Sequence, residues 1–126
     1  MNRPVHFEIH ASDPDALSRF YADAFGWKVT HVAAFNYWLL DTGEGPGYNG
    51  GMMKRMGAAA ADGAPVNAFV VSLGVDSVDE TLAKALAAGA TVALPKMAIP
   101  GVGWQAYIKD PDNNILGLHQ ADASAK

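Results

Sequence analysis

The stretch that decides the fold is residues 5–10, VHFEIH, which Asp13 and Pro14 follow after two intervening residues. Alternate residues of this stretch differ in character. Its apolar residues, Phe7 and Ile9, point to one side of an extended chain, and its polar residues point to the other: His6, Glu8 and His10. This is the period of a β-strand that packs one face on a core. Two imidazoles beside a carboxylate are uncommon on a strand, so the stretch predicts the first strand and a candidate site together.

A helix is predicted directly after this strand. Asp13 can cap a helix N-terminus, and Pro14 is favoured at the first helical position. Apolar residues follow at helical spacing, and Gly26 stands where a left-handed C-cap belongs. Strands are expected over residues 27–34, 35–42 and 50–55. The first half of the chain is therefore predicted to be strand, helix and three strands.

The second half repeats this order. A strand is expected over residues 67–75, and Ser77 with Glu80 forms the capping-box pattern that starts a helix. Strands follow over 90–94, 104–109 and 114–120, with a loop over 95–103. Adding 63 to a residue number carries Gly26 to Gly89, and adding 69 carries Trp38 to Tyr107. The sequence thus predicts one domain, 1–126, made of modules 1–56 and 66–120, a Gly/Ala-rich loop 57–65 and a tail 121–126.

Composition limits the classes of function. The chain has 126 residues, a formal net charge of −4 and no cysteine. No basic patch is evident, so nucleic acid is not expected as a partner. The absence of cysteine excludes disulfides, thiolate metal sites and a cysteine nucleophile. No signal-peptide pattern and no membrane-spanning run is found, so a cytoplasmic location without membrane contact is expected.

The paired β-α-β-β-β modules resemble the vicinal oxygen chelate superfamily, which includes glyoxalase I, extradiol dioxygenases and bleomycin-resistance proteins. The order and spacing of five phrases carry the resemblance: residues 5–9 (VHFEI), 20–21 (FY), 25–27 (FGW), 89–92 (GATV) and 110–114 (DPDNN). It covers nearly the whole chain. It implies an α+β fold in which two tandem βαβββ modules form a curved mixed sheet around a ligand cup. It does not imply one reaction, because the fold hosts lyases, isomerases, oxygenases and non-catalytic binders.

The resemblance also implies metal-ligand positions on the first and last strands of each module. His6 matches the first position. The last-strand position of the second module falls on Gly117, and its counterpart in the first module falls near Met52. The first strand of the second module offers Phe69 or Val70. Glycine has no side chain to coordinate with and a thioether suits hard divalent ions poorly, so no cofactor is expected.

An atypical site for a divalent metal is the alternative. It would use Glu8, His119 and one of His6 or His10, because these side chains are expected to share one face. His6 and His10 lie too far apart along a strand to bind one ion without bending. The competing interpretation is that all of them are hydrogen-bonding groups that line the cup.

The predicted ligand-binding residues are polar and aromatic side chains and one methionine, all expected to line the cup: His6, Glu8, His10, Trp38, Met52, Trp104 and His119. Glu8 and His6 are the predicted catalytic residues if the protein turns a substrate over. A carboxylate buried beside apolar walls would have a raised pKa, so Glu8 could act as a base near neutral pH.

Three functions remain open at this point. The first is a cytoplasmic homodimer that binds a small apolar or aromatic molecule without the usual superfamily metal. The second is a metal-dependent or acid–base enzyme of this superfamily, such as a lyase, isomerase or dioxygenase with an atypical ligand set. The third is a structural or regulatory module whose cleft is filled by its own side chains. The missing ligand positions favour the first.

Overall fold

A computed structural model describes residues 3–126, which divide into two compact units between Ala59 and Ala60. Both units have the order strand, helix, three strands. Each holds one helix and one four-stranded mixed sheet in which the first and fourth strands pair in parallel. The predicted α+β architecture of two tandem βαβββ modules is confirmed.

The first unit contains β1 (Phe7–Ala11), α1 (Pro14–Phe25), β2 (Lys28–Val32), β3 (Tyr37–Asp41) and β4 (Gly50–Lys54). Its strand order is β1-β4-β3-β2, in which β1 and β4 are parallel and the pairs β4–β3 and β3–β2 are antiparallel. The helix α1 packs against β1, β2 and β4 and covers one face of this sheet. Among residues 3–59, no helix covers the opposite face.

The second unit contains β5 (Ser72–Gly74), α2 (Val78–Ala87), β6 (Thr91–Ile99), β7 (Gly103–Lys109) and β8 (Ile115–Ala121). Its strand order is β5-β8-β7-β6. The helix α2 packs against β6, β7 and β8. Its buried partners in the sheet are apolar residues of β7 and β8: Ala106, Ile108, Leu116 and Leu118.

Both helix starts form as the sequence predicts. The Asp13 side chain accepts a hydrogen bond from the Ala16 amide at 3.2 Å, and the Ser77 hydroxyl accepts one from the Glu80 amide at 3.1 Å. Gly26 ends α1 in the left-handed conformation with φ 74°, which glycine adopts without a steric penalty.

Replacing Asp13 with Ala should lower the free energy of unfolding by about 1 kcal/mol, because it removes the side-chain cap of α1. Urea denaturation measures the loss. Asp23→Ala is the matched control, since Asp23 is exposed in the last turn of the same helix, and its effect should stay within about 0.5 kcal/mol. Equal losses in the two variants would contradict the capping role.

Two strand boundaries in the second unit differ from prediction. The apolar run 67–75 forms a strand only over Ser72–Gly74, and Phe69 is fully exposed. An apolar run forms a strand only where a neighbouring strand offers hydrogen-bonding partners. The strand β8 offers them to Ser72–Gly74, which pair with residues 117–119. In contrast, β6 continues through the predicted loop to Ile99 and passes Pro95. Proline is tolerated there because β6 is an edge strand whose register shifts twice.

The offset of 69 between the halves is corrected to 68 for the third strand of each unit. Val29 pairs with Leu40, and Val92, which lies 63 positions after Val29, pairs with Ile108. The difference between 108 and 40 is 68. Since side chains alternate between faces, an offset wrong by one assigns every residue of the strand to the wrong face. Leu40 and Ile108 are both fully buried under their helices, as the corrected offset requires.

The residues predicted as a tail, 121–126, are hydrogen bonded to the loop before β7. Ala121 belongs to β8, the Asp122 amide donates to the Val102 carbonyl at 3.0 Å, and the Gly101 amide donates to the Ala125 carbonyl at 2.9 Å. Ala125 is buried. Within residues 3–126, no helix is long and apolar enough to cross a membrane.

Candidate functional site

In the first unit, the face of the sheet opposite α1 is called the open face. Alternation along each strand assigns Glu8, Leu39 and Gly51 to this face, where they lie side by side in the register of β1, β4 and β3. Glu8 is exposed, and the Leu39 side chain is 47% exposed. Polar and apolar groups therefore lie together on an accessible surface.

Four side chains on the open face form one hydrogen-bonded group, the Glu8 cluster: His6, Glu8, His10 and Tyr37. Glu8 Oε1 accepts from His10 Nε2 at 2.9 Å, and Glu8 Oε2 accepts from Tyr37 Oη at 2.8 Å. His6 Nε2 lies 3.0 Å from Tyr37 Oη. The structure thus joins His6, Glu8 and His10, as the strand alternation predicts. It also adds Tyr37, which the strand alternation of residues 5–10 does not predict.

Gly51 leaves the space that Tyr37 needs to reach Glu8. Tyr37 lies on β3 and Glu8 on β1, with β4 between them in the sheet. A Cβ atom built on Gly51 would occupy the position of the Tyr37 ring and hydroxyl. The side chain of Tyr37 therefore crosses the sheet over a glycine, and any larger residue there would displace it.

The pKa of Glu8 is lower than the ordinary value of 4.5, because its carboxylate accepts hydrogen bonds from His10, which has the larger effect, and from Tyr37. The prediction of a raised pKa for Glu8 is therefore wrong. Its physical premise fails, since the Glu8 side chain is 40% exposed and carries two donors. Burial and the bond to Glu8 raise the pKa of Tyr37 to about 12, so its hydroxyl keeps its proton at neutral pH.

Glu8→Gln should reduce the loss of stability that acidification causes. A carboxyl group whose pKa is lowered on folding stabilises the fold above its unfolded pKa, and this contribution disappears as the pH falls through the folded value. The wild-type melting temperature should therefore decline more steeply than that of Glu8→Gln below about pH 4.5. Thermal melts at stepped pH measure this, with exposed Glu44→Gln as the control. Parallel declines in wild type and Glu8→Gln would contradict the assignment.

Two predicted ligand-binding residues of the first unit lie on the helix-covered face. Met52 is fully buried, and Ser18 of α1 donates a hydrogen bond to its sulfur at 3.8 Å. Trp38 pairs with Met52 across β3 and β4, is 7% exposed, and donates from its indole nitrogen to Asp15 of α1 at 3.2 Å. The structure does not bring Trp38 and Met52 to the face that carries Glu8.

The second unit has its own polar group on the face opposite α2, which is the open face of that unit. Gln105 is 5% exposed, its amide oxygen lies 2.9 Å from His119 Nδ1, and its amide nitrogen donates to Ser72 Oγ at 3.0 Å. Gly117 lies beneath this chain, because a Cβ there would collide with Ser72 and Gln105. His119 was predicted as a ligand-binding residue, whereas Ser72 and Gln105 were not.

Trp104 lies on the α2 side of the second unit's sheet. It shares a side of β7 with the buried residues Ala106 and Ile108. Its indole nitrogen donates to Asp122 at 3.0 Å, and the Lys96 ammonium lies 4.8 Å from the centre of its ring. The structure therefore places Trp104 and His119 on opposite faces of their sheet.

The strand register corrects which residue of the first unit corresponds to Gly117. Ser72 pairs with Gly117 in the second unit as Glu8 pairs with Gly51 in the first. The counterpart of Gly117 is therefore Gly51, not Met52. Both units place a glycine at the position where a polar group on the open face crosses the last strand.

The residues present do not fit the metal site that the superfamily resemblance implies. The last-strand positions on the two open faces are glycines, Gly51 and Gly117. Across residues 3–126, no three His, Asp or Glu side chains are grouped so that they could hold a metal ion. Of the alternative set, His6 and Glu8 belong to the first unit and His119 to the second.

The sequence gives only an incomplete indication of the three site residues that were not predicted. Tyr37, Ser72 and Gln105 all lie on strands, and each reaches the open face through alternation. The two glycines in the last strands are visible in the sequence as interruptions, which often mark close approach of another group. Which side chain approaches them depends on the register, and the sequence alone does not fix it.

Comparison with known proteins gives a family match over most of the chain. A family profile described as "Glyoxalase-like domain" matches residues 6–118. Among curated proteins, "Putative glyoxylase CFP32" of Mycobacterium tuberculosis (strain CDC 1551 / Oshkosh) is 27% identical over 133 aligned positions, covering 94% of this chain and 46% of that protein. A protein of the same name from Mycobacterium bovis matches equally. The chain thus spans about half the length of the curated relatives it matches.

Solved structures share the fold at low sequence identity. A glyoxalase/bleomycin resistance protein/dioxygenase family enzyme from Burkholderia phytofirmans PsJN is 22% identical with a TM-score of 0.70, covering 93% of this chain and 97% of that one. The genomically encoded fosfomycin resistance protein FosX from Listeria monocytogenes is 17% identical with a TM-score of 0.72, covering 97% and 93%. At these identities the likeness extends to the fold.

Proposed function

We propose a small-molecule-binding function for this chain, which belongs to the glyoxalase-like domain family. The family match and the fold agree with the predicted resemblance to the vicinal oxygen chelate superfamily. Within that family, the proposed ligand is a small apolar or aromatic molecule that lies against the open face of a sheet. The family match does not identify this class of ligand, which we infer from the geometry of the chain's own residues.

The observation that carries the proposal is the Glu8 cluster beside an exposed apolar side chain. Glu8 pairs across the sheet with Gly51, which pairs with Leu39, and Leu39 is 47% exposed. Small-molecule sites are mostly apolar surfaces with a few precisely held polar groups. The cluster supplies fixed polar groups and Leu39 supplies the apolar surface, so one amphipathic molecule can contact both.

The open face of the second unit has the same kind of surface. Leu94 and Met97 pair with Tyr107 and Gln105 in the β6–β7 register, and they are 50% and 40% exposed. His119 pairs with Gln105 on the other side. Exposed apolar side chains again lie beside a hydrogen-bonded imidazole, which supports a binding role for this surface as well.

Saturation-transfer NMR with a set of small aromatic and aliphatic compounds tests this function. Compounds that bind should lose their signal with Leu39→Asp, because a carboxylate on the open face opposes apolar contact. Phe35→Asp is the matched control, since Phe35 is 81% exposed in the turn before β3 and lies outside the open face. Circular dichroism verifies that both variants fold. Failure of every compound to bind, or equal binding to both variants, would refute the proposal.

We also propose that binding needs no divalent metal, because glycines stand at the last-strand positions of both open faces. Metal content by mass spectrometry, on protein purified without chelator or affinity tag, tests this. Less than about one-tenth equivalent is expected, and titration with Mn²⁺, Fe²⁺, Ni²⁺ and Zn²⁺ should give no heat. One equivalent of metal that is lost in His6→Ala would contradict it.

An enzyme is the alternative function, and the Glu8 cluster is the observation that favours it. Paired imidazoles hydrogen bonded to a carboxylate, directly or through a tyrosine, are groups that can move protons. The lowered pKa of Glu8 argues against this carboxylate as the base at neutral pH. An enzyme would convert a bound compound to product, and this product formation would stop in the His6→Ala variant. A protein that only binds would form no product.

A homodimer is proposed from the superfamily resemblance. Sedimentation equilibrium should give a mass near 26.4 kDa, twice the 13.2 kDa of one chain. A concentration-independent mass of 13.2 kDa would contradict the dimer.

A further inference from the structure

The hydrogen-bond directions in the Glu8 cluster determine which nitrogen of His6 faces a ligand. From them we infer that His6 Nδ1 is the acceptor for the hydroxyl group of a neutral, largely apolar ligand. The inference rests on the small-molecule-binding function proposed above and assigns the ligand class at the same site. Its first test uses the protein without any ligand, so the two proposals can fail separately.

The direction of each bond follows from the chemistry of the groups. An ionised carboxylate only accepts, so the hydroxyl proton of Tyr37 is donated to Glu8 Oε2 over 2.8 Å. Tyr37 has one hydroxyl proton, and its oxygen can then only accept from His6 Nε2 at 3.0 Å. His6 Nε2 therefore carries a proton. In the neutral imidazole, the lone pair then lies on Nδ1.

Glu8 and Tyr37, the inner members of the chain of bonds, are already engaged. Both oxygens of Glu8 hold a donor, His10 on Oε1 and Tyr37 on Oε2. The proton of Tyr37 is directed to Glu8. His6 stands at the Tyr37 end of this chain and is exposed. Glu8 and Tyr37 are accordingly positioning residues, which orient and polarise His6, while His6 touches the ligand.

The His6 ring is also held in orientation. It lies nearly parallel to the Tyr37 ring, with centroids 6.4 Å apart and planes inclined by 22°. Tyr37 in turn lies over Gly51, where no side chain intervenes. A fixed ring presents its lone pair in a fixed direction, which lowers the entropic cost of pairing with a ligand.

The surroundings select the class of ligand. An anionic group would face the negative charge of Glu8 and find an acceptor on His6 where it needs a donor. A neutral hydroxyl group fits, because it donates one hydrogen bond to Nδ1 without adding charge. Leu39 on the same face offers an apolar surface for the rest of the molecule. Alcohols and phenols with an apolar body meet these requirements.

The tautomer of His6 in the free protein is the first test. Long-range ¹H–¹⁵N correlation at neutral pH distinguishes a protonated ring nitrogen from one with a lone pair. We expect His6 to be in the Nε2–H form in wild type and to become a mixture of both tautomers in Tyr37→Phe. Tyr48→Phe is the control. It also removes a tyrosine hydroxyl from the first unit, but the Tyr48 ring contacts Phe7 and is not part of the Glu8 cluster.

The second test compares two probes that share an apolar ring, phenol and its methyl ether anisole. Phenol can donate a hydrogen bond, and anisole cannot. Calorimetry should give wild type a preference for phenol of about fivefold, the usual net contribution of one hydrogen bond. The preference should vanish in His6→Ala and persist in His31→Ala, since His31 stacks on Trp38 away from the cluster.

Each outcome decides a defined part of the inference. A tautomer that is Nδ1–H, or that does not respond to Tyr37→Phe, would overturn the assigned directions. Equal binding of phenol and anisole would overturn the ligand class while leaving small-molecule binding intact. If neither probe binds, the ligand class is refuted, and an Nε2–H tautomer then shows that the bond directions hold independently of the ligand.

Discussion

Met52→Ala should lower the free energy of unfolding by about 2–5 kcal/mol, the usual cost of deleting a buried side chain of this size. Met52 is fully buried between β4 and α1, where Ser18 contacts its sulfur. The loss combines the transfer free energy of the removed atoms with the cavity that remains. Binding of ligands on the open face should survive under conditions where the variant is folded. Urea denaturation and calorimetry measure the two quantities separately.

The neighbouring methionine provides the control. Met53 lies on the opposite face of β4 and is only half-buried, so Met53→Ala should cost clearly less stability. Met56, which is 90% exposed, should be neutral within about 0.5 kcal/mol when changed to Ala. A stable Met52→Ala that has lost ligand binding would return Met52 to the binding residues that the sequence predicts.

Gly51→Ala should break the Glu8 cluster and lower the free energy of unfolding by about 1–3 kcal/mol, the usual cost of overpacking. The new methyl group would occupy the position of the Tyr37 ring, so Tyr37 must leave Glu8. The pKa of Tyr37, which is about 12 in the cluster, should then fall toward the ordinary value of 10. A spectrophotometric titration of the tyrosines at alkaline pH detects this change.

Gly74→Ala is the matched control for this prediction. Gly74 lies on β5, the first strand of the second unit, and a Cβ there meets no atom within 4 Å. Its stability should change by less than about 0.5 kcal/mol and the titration of Tyr37 should be unaffected. If Gly51→Ala retains a Tyr37 pKa of about 12, the close approach of the two residues is not what the structure describes.

Much of the fold follows from local sequence signals. Asp13, Pro14 and Gly26 define both ends of α1, and the Ser77 cap starts α2, because each of these signals acts within one turn of its own position. The repeat of the two halves then gives the order of helix and strands along the chain. The α+β class and both helices were accordingly predictable.

The candidate site was predictable only along one strand. Alternation places His6, Glu8 and His10 on one face because this depends only on neighbours in the sequence. Trp38 and Met52 required the register between strands, and a shift of one residue exchanges the faces. The structure places both under α1.

The state of Glu8 could not be derived from the sequence either. Whether a carboxyl group has a raised or lowered pKa depends on the balance of burial against hydrogen bonding. The donors to Glu8 are His10, two residues away, and Tyr37, which lies 29 positions further along the chain. Tyr37 reaches Glu8 only because Gly51 leaves room between them, and no local pattern encodes that arrangement.

The measurement that most directly tests ligand binding on the open face is chemical-shift mapping of ¹⁵N-labelled protein titrated with phenol. We expect saturable shifts at the amides of Leu39 and Gly51 and at the His6 ring. The Trp38 indole N–H, which is bound to Asp15 on the helix-covered face, should not move. Saturable shifts of that indole, with Leu39, Gly51 and His6 unchanged, would contradict the claim that the open face of the first unit binds the ligand.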